Sequence, residues 1–249
     1  MAARPPAVVS CHVERPLDDR AWSRFSHLQA SRPGGLAIAA LMRPPDRGAG
    51  EDAGLWLVRA RAAAARGPFG LHTHWTSPSH ARPSGGRGRA ADRVAQELEW
   101  LRERGLEPTL FAGGGWYVDE AVAETLAAAG LADCTATAFR PPTLAPGAAR
   151  LGAREPTRLV LRSGARLLEL PSTHSVGMLA RAVVRPLDAP FVHAYFHDTD
   201  LLQPLRRAAL VAALNALGRT RGAPTDLDTL RAQHTGGAPE TPFADVYAR

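Results

Sequence analysis

Short apolar segments alternate with longer amphipathic segments along this sequence, and that alternation strongly limits the folds it can form. The apolar segments are rich in Val, Leu and Ala and have the length of strands, whereas the amphipathic segments have the length of helices. A repeated strand–helix order predicts an α/β fold around a mostly parallel sheet. The predicted strands are 7–13, 35–42, 68–74, 107–112, 132–136, 167–172 and 190–197.

Helices are predicted between these strands, and their periodicity is clearest at 90–104, where Val94, Leu98 and Leu101 share one face. Two turn-rich segments interrupt the repeat, a loop at 77–91 and an insertion at 139–166 that ends in a hairpin. The other predicted helices are 18–31, 52–65, 118–129, 176–184, 202–218 and 225–233.

The length of 249 residues suits a single domain of this type. We predict one (β/α) barrel, seven-stranded and distorted, over residues 1–235. Residues 236–249 form a tail that we expect to be poorly packed, although the apolar residues Phe243, Val246 and Tyr247 could dock as a closing segment.

The charge and cysteine content exclude several classes of function. The net charge is +6, but all 30 basic residues are Arg and they are scattered, so we expect no nucleic-acid partner. Cys11 and Cys134 are too few for a disulfide framework or a thiolate zinc cluster. We also expect a cytoplasmic location and no membrane partner, since neither a secretory signal nor an apolar run of membrane-spanning length is present. The sequence does not determine the oligomeric state.

Polar residues gather at the carboxyl ends of the predicted strands, which lie together on one face of a parallel barrel. Seven of the nine histidines are at these ends or just beyond them. The residues singled out are His12 and Glu14, then His72, His74 and His80, then Gly114, Gly115, Trp116 and Tyr117, then Asp133 and His174, and finally His197 and Asp198.

This clustering predicts a divalent-metal site. Alternation along a strand places residues i and i+2 on the same side, so His12 lies with Glu14, and His72 lies with His74. One carboxylate with two or three imidazoles suits zinc or a similar divalent ion with an open position for water. A single histidine at a strand end is most often an ordinary polar residue, but seven at the same rim favour a metal site.

The ordered motifs resemble the polysaccharide deacetylases of the chitooligosaccharide deacetylase type, which are family 4 carbohydrate esterases. His12 and Glu14 match two acidic residues of the family's first motif, a catalytic base and a metal ligand. The segment 70–76 resembles the second motif, which supplies two metal histidines, and the segment 111–116 resembles the third. The last motif is similar to 197–201. Two departures stand out, because His12 replaces the base Asp and Ala112 replaces its Arg partner.

The resemblance implies a divalent-metal-dependent hydrolase that removes an acyl group from an N-acylated sugar or related amide. The implied metal ligands are Glu14, His72 and either His80 or His74, with His12 as general base and His197 as general acid. The substrate would be a carbohydrate or another small molecule. An alternative is a catalytically decayed barrel that binds carbohydrate and retains the groove. The implied substrate-binding residues are Trp75, Gly114, Gly115, Trp116, Tyr117, Asp133, His174 and Asp198.

Overall fold

The computed structural model describes residues 5–77, 81–83, 89–182, 189, 191–222 and 225–248, and it has the predicted α/β architecture. The strands are β1 (Ala7–Val13), β2 (Ile38–Met42), β3 (Phe69–Thr73), β4 (Leu110–Gly113), β5 (Ala132–Asp133), β6 (Arg150–Leu151), β7 (Thr157–Val160), β8 (Arg166–Glu169), β9 (His174–Ser175), β10 (Val192–His197), β11 (Glu240–Pro242) and β12 (Tyr247–Ala248). The helices are α1 (Asp19–Ser31), α2 (Ala53–Ala64), α3 (Arg89–Arg102), α4 (Glu120–Ala129), α5 (Val176–Ala182), α6 (Pro204–Thr220) and α7 (Leu227–His234).

Ten of these strands form one sheet, in the order β11-β7-β8-β5-β4-β3-β2-β1-β10-β9. Its pairs are parallel except for β7 with β8, which form the antiparallel hairpin predicted at the end of the insertion. The predicted strand 167–172 corresponds to β8, which ends at Glu169, and the short strand β9 follows at His174. The residues between β8 and β9 hydrogen-bond to two different strands. The Leu170 N–H donates to the Asp133 carbonyl of β5, and the Thr173 N–H donates to the His193 carbonyl of β10.

The two faces of the sheet carry different residues, as a period-two pattern requires. One face packs against α1 to α4 and α6 through a large apolar cluster that includes Phe25, Trp56 and Leu126. The other, which we call the inner face, carries a smaller cluster that includes Val8, Leu110, Ala112 and Cys134, covered by Leu227 and Leu230 of α7. His12 belongs to the inner face, since it is four residues along β1 from Val8.

The helices begin where capping residues predict. The side chains of Asp18, Asp52, Asp119 and Asp226 each accept a backbone N–H in the first turn of α1, α2, α4 and α7. Among the described residues, no helix is long and apolar enough to cross a membrane.

The residues near the C-terminus are better packed than expected. β11 pairs with β7, β12 pairs with β6, and Phe243 between them is buried. The prediction of a poorly packed tail is therefore wrong for 240–248, because these strands supply partners to the insertion. The structure has the alternative outcome, in which Phe243 docks against the apolar core.

Candidate metal centre

Glu14, His72 and His74 form a cluster with the geometry of a metal site. One ligand atom from each residue lies within 4.8 Å of the other two. Glu14 Oε1 is 4.0 Å from His72 Nε2 and 3.8 Å from His74 Nε2. The two imidazole Nε2 atoms are 3.2 Å apart. Both histidines are buried and Glu14 is half-buried, so the three side chains meet at the edge of the protein interior.

The local sequence explains why these three side chains converge. His72 and His74 are two residues apart at the end of β3, so both leave the strand on the same side, while Thr73 points away and donates to Glu97 of α3. Glu14 directly follows β1, from which β3 is separated by β2. The three ligands therefore come from the carboxyl ends of parallel strands.

The chemistry of this donor set fits a divalent cation. His72 Nδ1 is 2.9 Å from the carbonyl oxygen of Ala112. Since a carbonyl can only accept, Nδ1 carries the proton and Nε2 presents its lone pair to the cluster. Burial, followed by the charge of His74, holds the pKa of His72 well below its ordinary value, so the ring is neutral. Two imidazole nitrogens and one carboxylate oxygen are a common zinc ligand set.

His12 lies directly behind the cluster and is buried on the inner face. Its ring centroid is 4.6 Å from that of His72 and 5.3 Å from that of His197, and it stacks on Tyr195 at 5.4 Å. Its Nε2 atom has no hydrogen-bond partner among the described residues. Burial and then the charge of His72 hold the pKa of His12 well below the ordinary value, so this imidazole is neutral at neutral pH.

His197 approaches Glu14 from the end of β10. Its Nε2 is 3.6 Å from Glu14 Oε1, and its Nδ1 is 3.8 Å from Oδ2 of Asp200, which also accepts the His197 backbone N–H. Burial by itself would lower the pKa of His197, but the bond to Asp200 and the charges of Glu14 and Asp200 outweigh it and raise the pKa. Asp200 is also paired with Arg206 at 2.8 Å.

A tight turn after β4 packs against the cluster. Gly114 lies so close to β3 that an added Cβ would be 2.5 Å from the Thr73 carbonyl oxygen and 3.0 Å from His74 Cδ2. Gly115 and Trp116 both have positive φ, and the Trp116 ring packs on His12 with centroids 5.6 Å apart. The Gly113 N–H donates to Thr135, so it is already engaged.

Three of the predicted substrate-binding side chains have partners away from the cluster. Trp75 belongs to the outer core and donates from Nε1 to the Gly114 carbonyl. The Tyr117 hydroxyl donates to Asp119. His174 lies on the edge strand β9, and its Nδ1 is hydrogen-bonded to the Thr173 hydroxyl. His193 lies deeper on the inner face, and its Nε2 is hydrogen-bonded to the Ser10 hydroxyl.

Two predicted acidic residues are buried and play supporting parts. Asp133 faces away from the inner face, where its neighbours Ala132 and Cys134 lie, and its carboxylate accepts from Thr135 and adjoins Glu169. The structure therefore does not bring Asp133 to the cluster, because strand alternation turns it outward. Asp198 is fully buried, and its Oδ2 accepts the backbone N–H of Arg15, so it supports the chain just after Glu14.

Of the two histidines proposed to complete the metal shell, only His74 can be placed. His80 lies outside the described residues. Sequence reasoning missed the ion pair between Arg43 and Glu51 beside Glu14. Arg43 Nη1 donates to Glu51 Oε2 at 2.8 Å, and Arg43 Nη2 donates to Glu51 Oε1 at 2.7 Å. The available signal was the charge of Arg43 at the end of the apolar strand β2, which is the same kind of position that identified the histidines.

A cavity of about 530 Å³ opens next to the cluster. Its walls include Glu14 and His74 from the candidate metal centre, together with Arg15, Arg43 and Glu51. This volume is within the range of small-molecule binding sites. The cluster is thus reachable by a ligand.

No family model and no curated protein matches the sequence. Solved structures do match the fold. One is assigned as a polysaccharide deacetylase from Mycobacterium smegmatis, with a TM-score of 0.67 and 14% identity over 97% of this chain and 96% of that chain. Another is a 4-alpha-glucanotransferase from Thermococcus litoralis, with a TM-score of 0.59 and 12% identity over 97% of this chain and 42% of that chain. At such identities the likeness establishes the shared fold.

Proposed function

We propose that this chain, which has the fold of the polysaccharide deacetylase from Mycobacterium smegmatis, is a divalent-metal-dependent hydrolase that removes an acyl group from an N-acylated sugar or related amide. The observation that carries the proposal is the convergence of Glu14 Oε1, His72 Nε2 and His74 Nε2 within 4.8 Å of one another beside an open cavity. Zinc is the ion that this ligand set suits best.

Each residue of the site has a role in this proposal. Glu14, His72 and His74 would hold the ion, which acts as a Lewis acid when it is bound. His12 accepts the proton of the attacking water, since its buried Nε2 has no other partner among the described residues. His197 donates a proton to the departing nitrogen, and Asp200 holds its ring by lying 3.8 Å from Nδ1.

A second candidate is a barrel that binds carbohydrate without turnover. It is favoured by the departures from the family's motifs, since His12 stands in place of the base Asp and Ala112 in place of the Arg. In addition, the Gly113 N–H already donates to the Thr135 hydroxyl, so it is not available to stabilise an oxyanion. The two candidates differ in acetate release, whereas both allow metal binding.

Elemental analysis of the purified protein, followed by acetate release from N-acetylated chitooligosaccharides, tests the proposal. We expect one divalent ion per chain and an acetate release that a chelator abolishes. His72→Ala should lose the ion, because two remaining protein ligands rarely hold such an ion tightly. His27→Ala, which removes an exposed histidine of α1, is the matched control and should retain it. Glycan binding and metal without acetate release would support the second candidate.

The choice between His74 and His80 is a separate prediction. Because His74 lies 3.8 Å from Glu14 Oε1, His74→Ala should weaken zinc binding strongly while His80→Ala leaves it unchanged. Zinc affinity, measured by competition with a chelating dye, decides between them. The opposite pattern would assign the third ligand to His80.

A further inference from the structure

The buried Arg43 and the half-buried Glu51 form an ion pair beside Glu14 that takes no part in the roles assigned above. We propose that this pair positions Glu14 for the cation and, by cancelling its own charge, keeps the site able to accept one. The inference rests on the proposed function, because it concerns the same candidate metal centre.

Arg43 holds the backbone at Glu14 in place. Arg43 Nε donates to the backbone carbonyl of Glu14 at 2.9 Å, and the Arg43 N–H donates to the carbonyl of Val13 at 3.0 Å. Glu14 is the first residue beyond β1, so strand pairing no longer fixes its backbone. The Arg43 contacts therefore replace the sheet at this residue, while Asp198 holds Arg15 on the other side.

The guanidinium is itself held on all sides. Its two terminal nitrogens donate to the Glu51 carboxylate at 2.8 Å and 2.7 Å, and Nη1 also donates to the Pro44 carbonyl. Glu51 in turn accepts the Asp46 N–H at 2.6 Å. The Arg43 side chain is only 6% exposed, so this planar fork has one orientation, which a lysine ammonium cannot reproduce.

Glu51 compensates the positive charge of Arg43. A buried guanidinium without its carboxylate would place an uncompensated positive charge next to the imidazoles that must hold a cation. Like charges in a poorly solvated site repel strongly. Glu51 removes that repulsion without touching the ligand atoms. Outer partners that orient metal ligands typically change metal affinity about 10–100-fold when removed.

The experiment measures zinc affinity in the full chain, by competition with a chelating dye, for the parent and two variants. Glu51→Gln removes the compensating charge, and Arg43→Lys keeps the charge but loses the fork. We expect each to bind zinc at least about tenfold more weakly than the parent. Glu240→Gln is the matched control, since it removes a carboxylate from an exposed ion pair with Arg166, and it should bind as the parent does.

Zinc affinity is compared at a temperature below the unfolding midpoint of every variant, and circular dichroism confirms that each variant is folded. A loss of zinc affinity then does not result from unfolding. Either variant with the parent's zinc affinity overturns the inference while leaving the proposed function intact. A parent that binds no divalent ion overturns the proposed function, and the inference falls with it. Weakening in Glu240→Gln to the same extent would also overturn the inference, because the effect would then not belong to this pair.

Discussion

Asp133 and Glu169 form a pair of buried carboxyl groups whose protonation should be visible in the stability of the protein. The two residues are direct neighbours on β5 and β8, and both are fully buried. One oxygen of each, Oδ2 and Oε2, has no other partner among the described residues. Burial raises the pKa of Asp133, and burial together with the charge of Asp133 raises the pKa of Glu169. The folded pair therefore retains a proton at pH values at which the same groups of the unfolded chain are ionised.

This proton gives a prediction for the dependence of stability on pH. The folded protein retains a proton that the unfolded chain releases near pH 4, so the free energy of unfolding should fall as the pH rises above about 4. The slope is about 1.4 kcal/mol per pH unit for each retained proton. Burial raises the pKa of Asp133 to about 6, so Asp133→Asn should flatten the slope between about pH 4 and 6, while Glu169, which stays buried, retains its own contribution. Urea unfolding between pH 4 and 8 measures the slope.

Glu99→Gln, on the exposed face of α3, is the control for the loss of a carboxylate and should keep the parent's slope. Equal slopes for Asp133→Asn and the parent between pH 4 and 6 would mean that Asp133 does not retain a proton in the folded protein.

At the scale of elements, the turn after β4 is fitted to the end of β3. Gly114 is required because a Cβ at this position would lie 2.5 Å from the Thr73 carbonyl oxygen, 2.9 Å from the Ala81 carbonyl oxygen and 3.0 Å from the ring of His74. A side chain here would have to move the end of β3, where two of the candidate metal ligands lie. The packing of one turn on one strand end thus links the stability of β4 to the geometry of the candidate metal centre.

We therefore expect Gly114→Ala to lower the free energy of unfolding by about 1–3 kcal/mol and also to weaken zinc binding. Gly177→Ala is the matched control, because nothing lies within 4 Å of a Cβ built at this position of α5. Alanine is the better helix former, so this control should be neutral or stabilising by up to about 1 kcal/mol. Thermal unfolding and dye competition measure the two effects. Parent-like zinc affinity in Gly114→Ala would separate the turn from the centre.

At the scale of the whole molecule, the C-terminal segment completes one edge of the sheet and covers the insertion. β11 adds to the edge strand β7, and β12 covers β6 of the insertion. Phe243 is buried between them. The chain end and the insertion therefore depend on each other.

Removal of residues 237–249 should lower the melting temperature and leave zinc binding unchanged. Burial of one Phe side chain contributes about 1.5–3 kcal/mol, which corresponds to about 3–12 °C for a chain of this size. Differential scanning calorimetry of the truncated chain and of Phe243→Ala measures the loss. An unchanged melting temperature in both would show that the docked segment contributes nothing, and weakened zinc binding would show that it supports the centre.

The sequence by itself determined the order of the main strands and helices, and it identified the residues from which a metal site is proposed. Each predicted strand and helix has a counterpart, because period-two and period-3.6 patterns are local properties of a chain that must bury apolar side chains. Glu14 and His72 were also predicted as candidate ligands, with either His74 or His80 as the third, since β strands place i and i+2 side chains together and parallel strands place their carboxyl ends on one edge.

Only the tertiary structure decided which polar residues meet. Asp133 and His174 stand at strand ends like His72, but one turns outward to Glu169 and the other bonds Thr173 at the sheet edge. Arg43 and Glu51 became part of the site through contacts between β2 and the residue after β1. Side-chain direction at a strand end and pairing across strands depend on register and packing between distant segments, and neither property is contained in local periodicity.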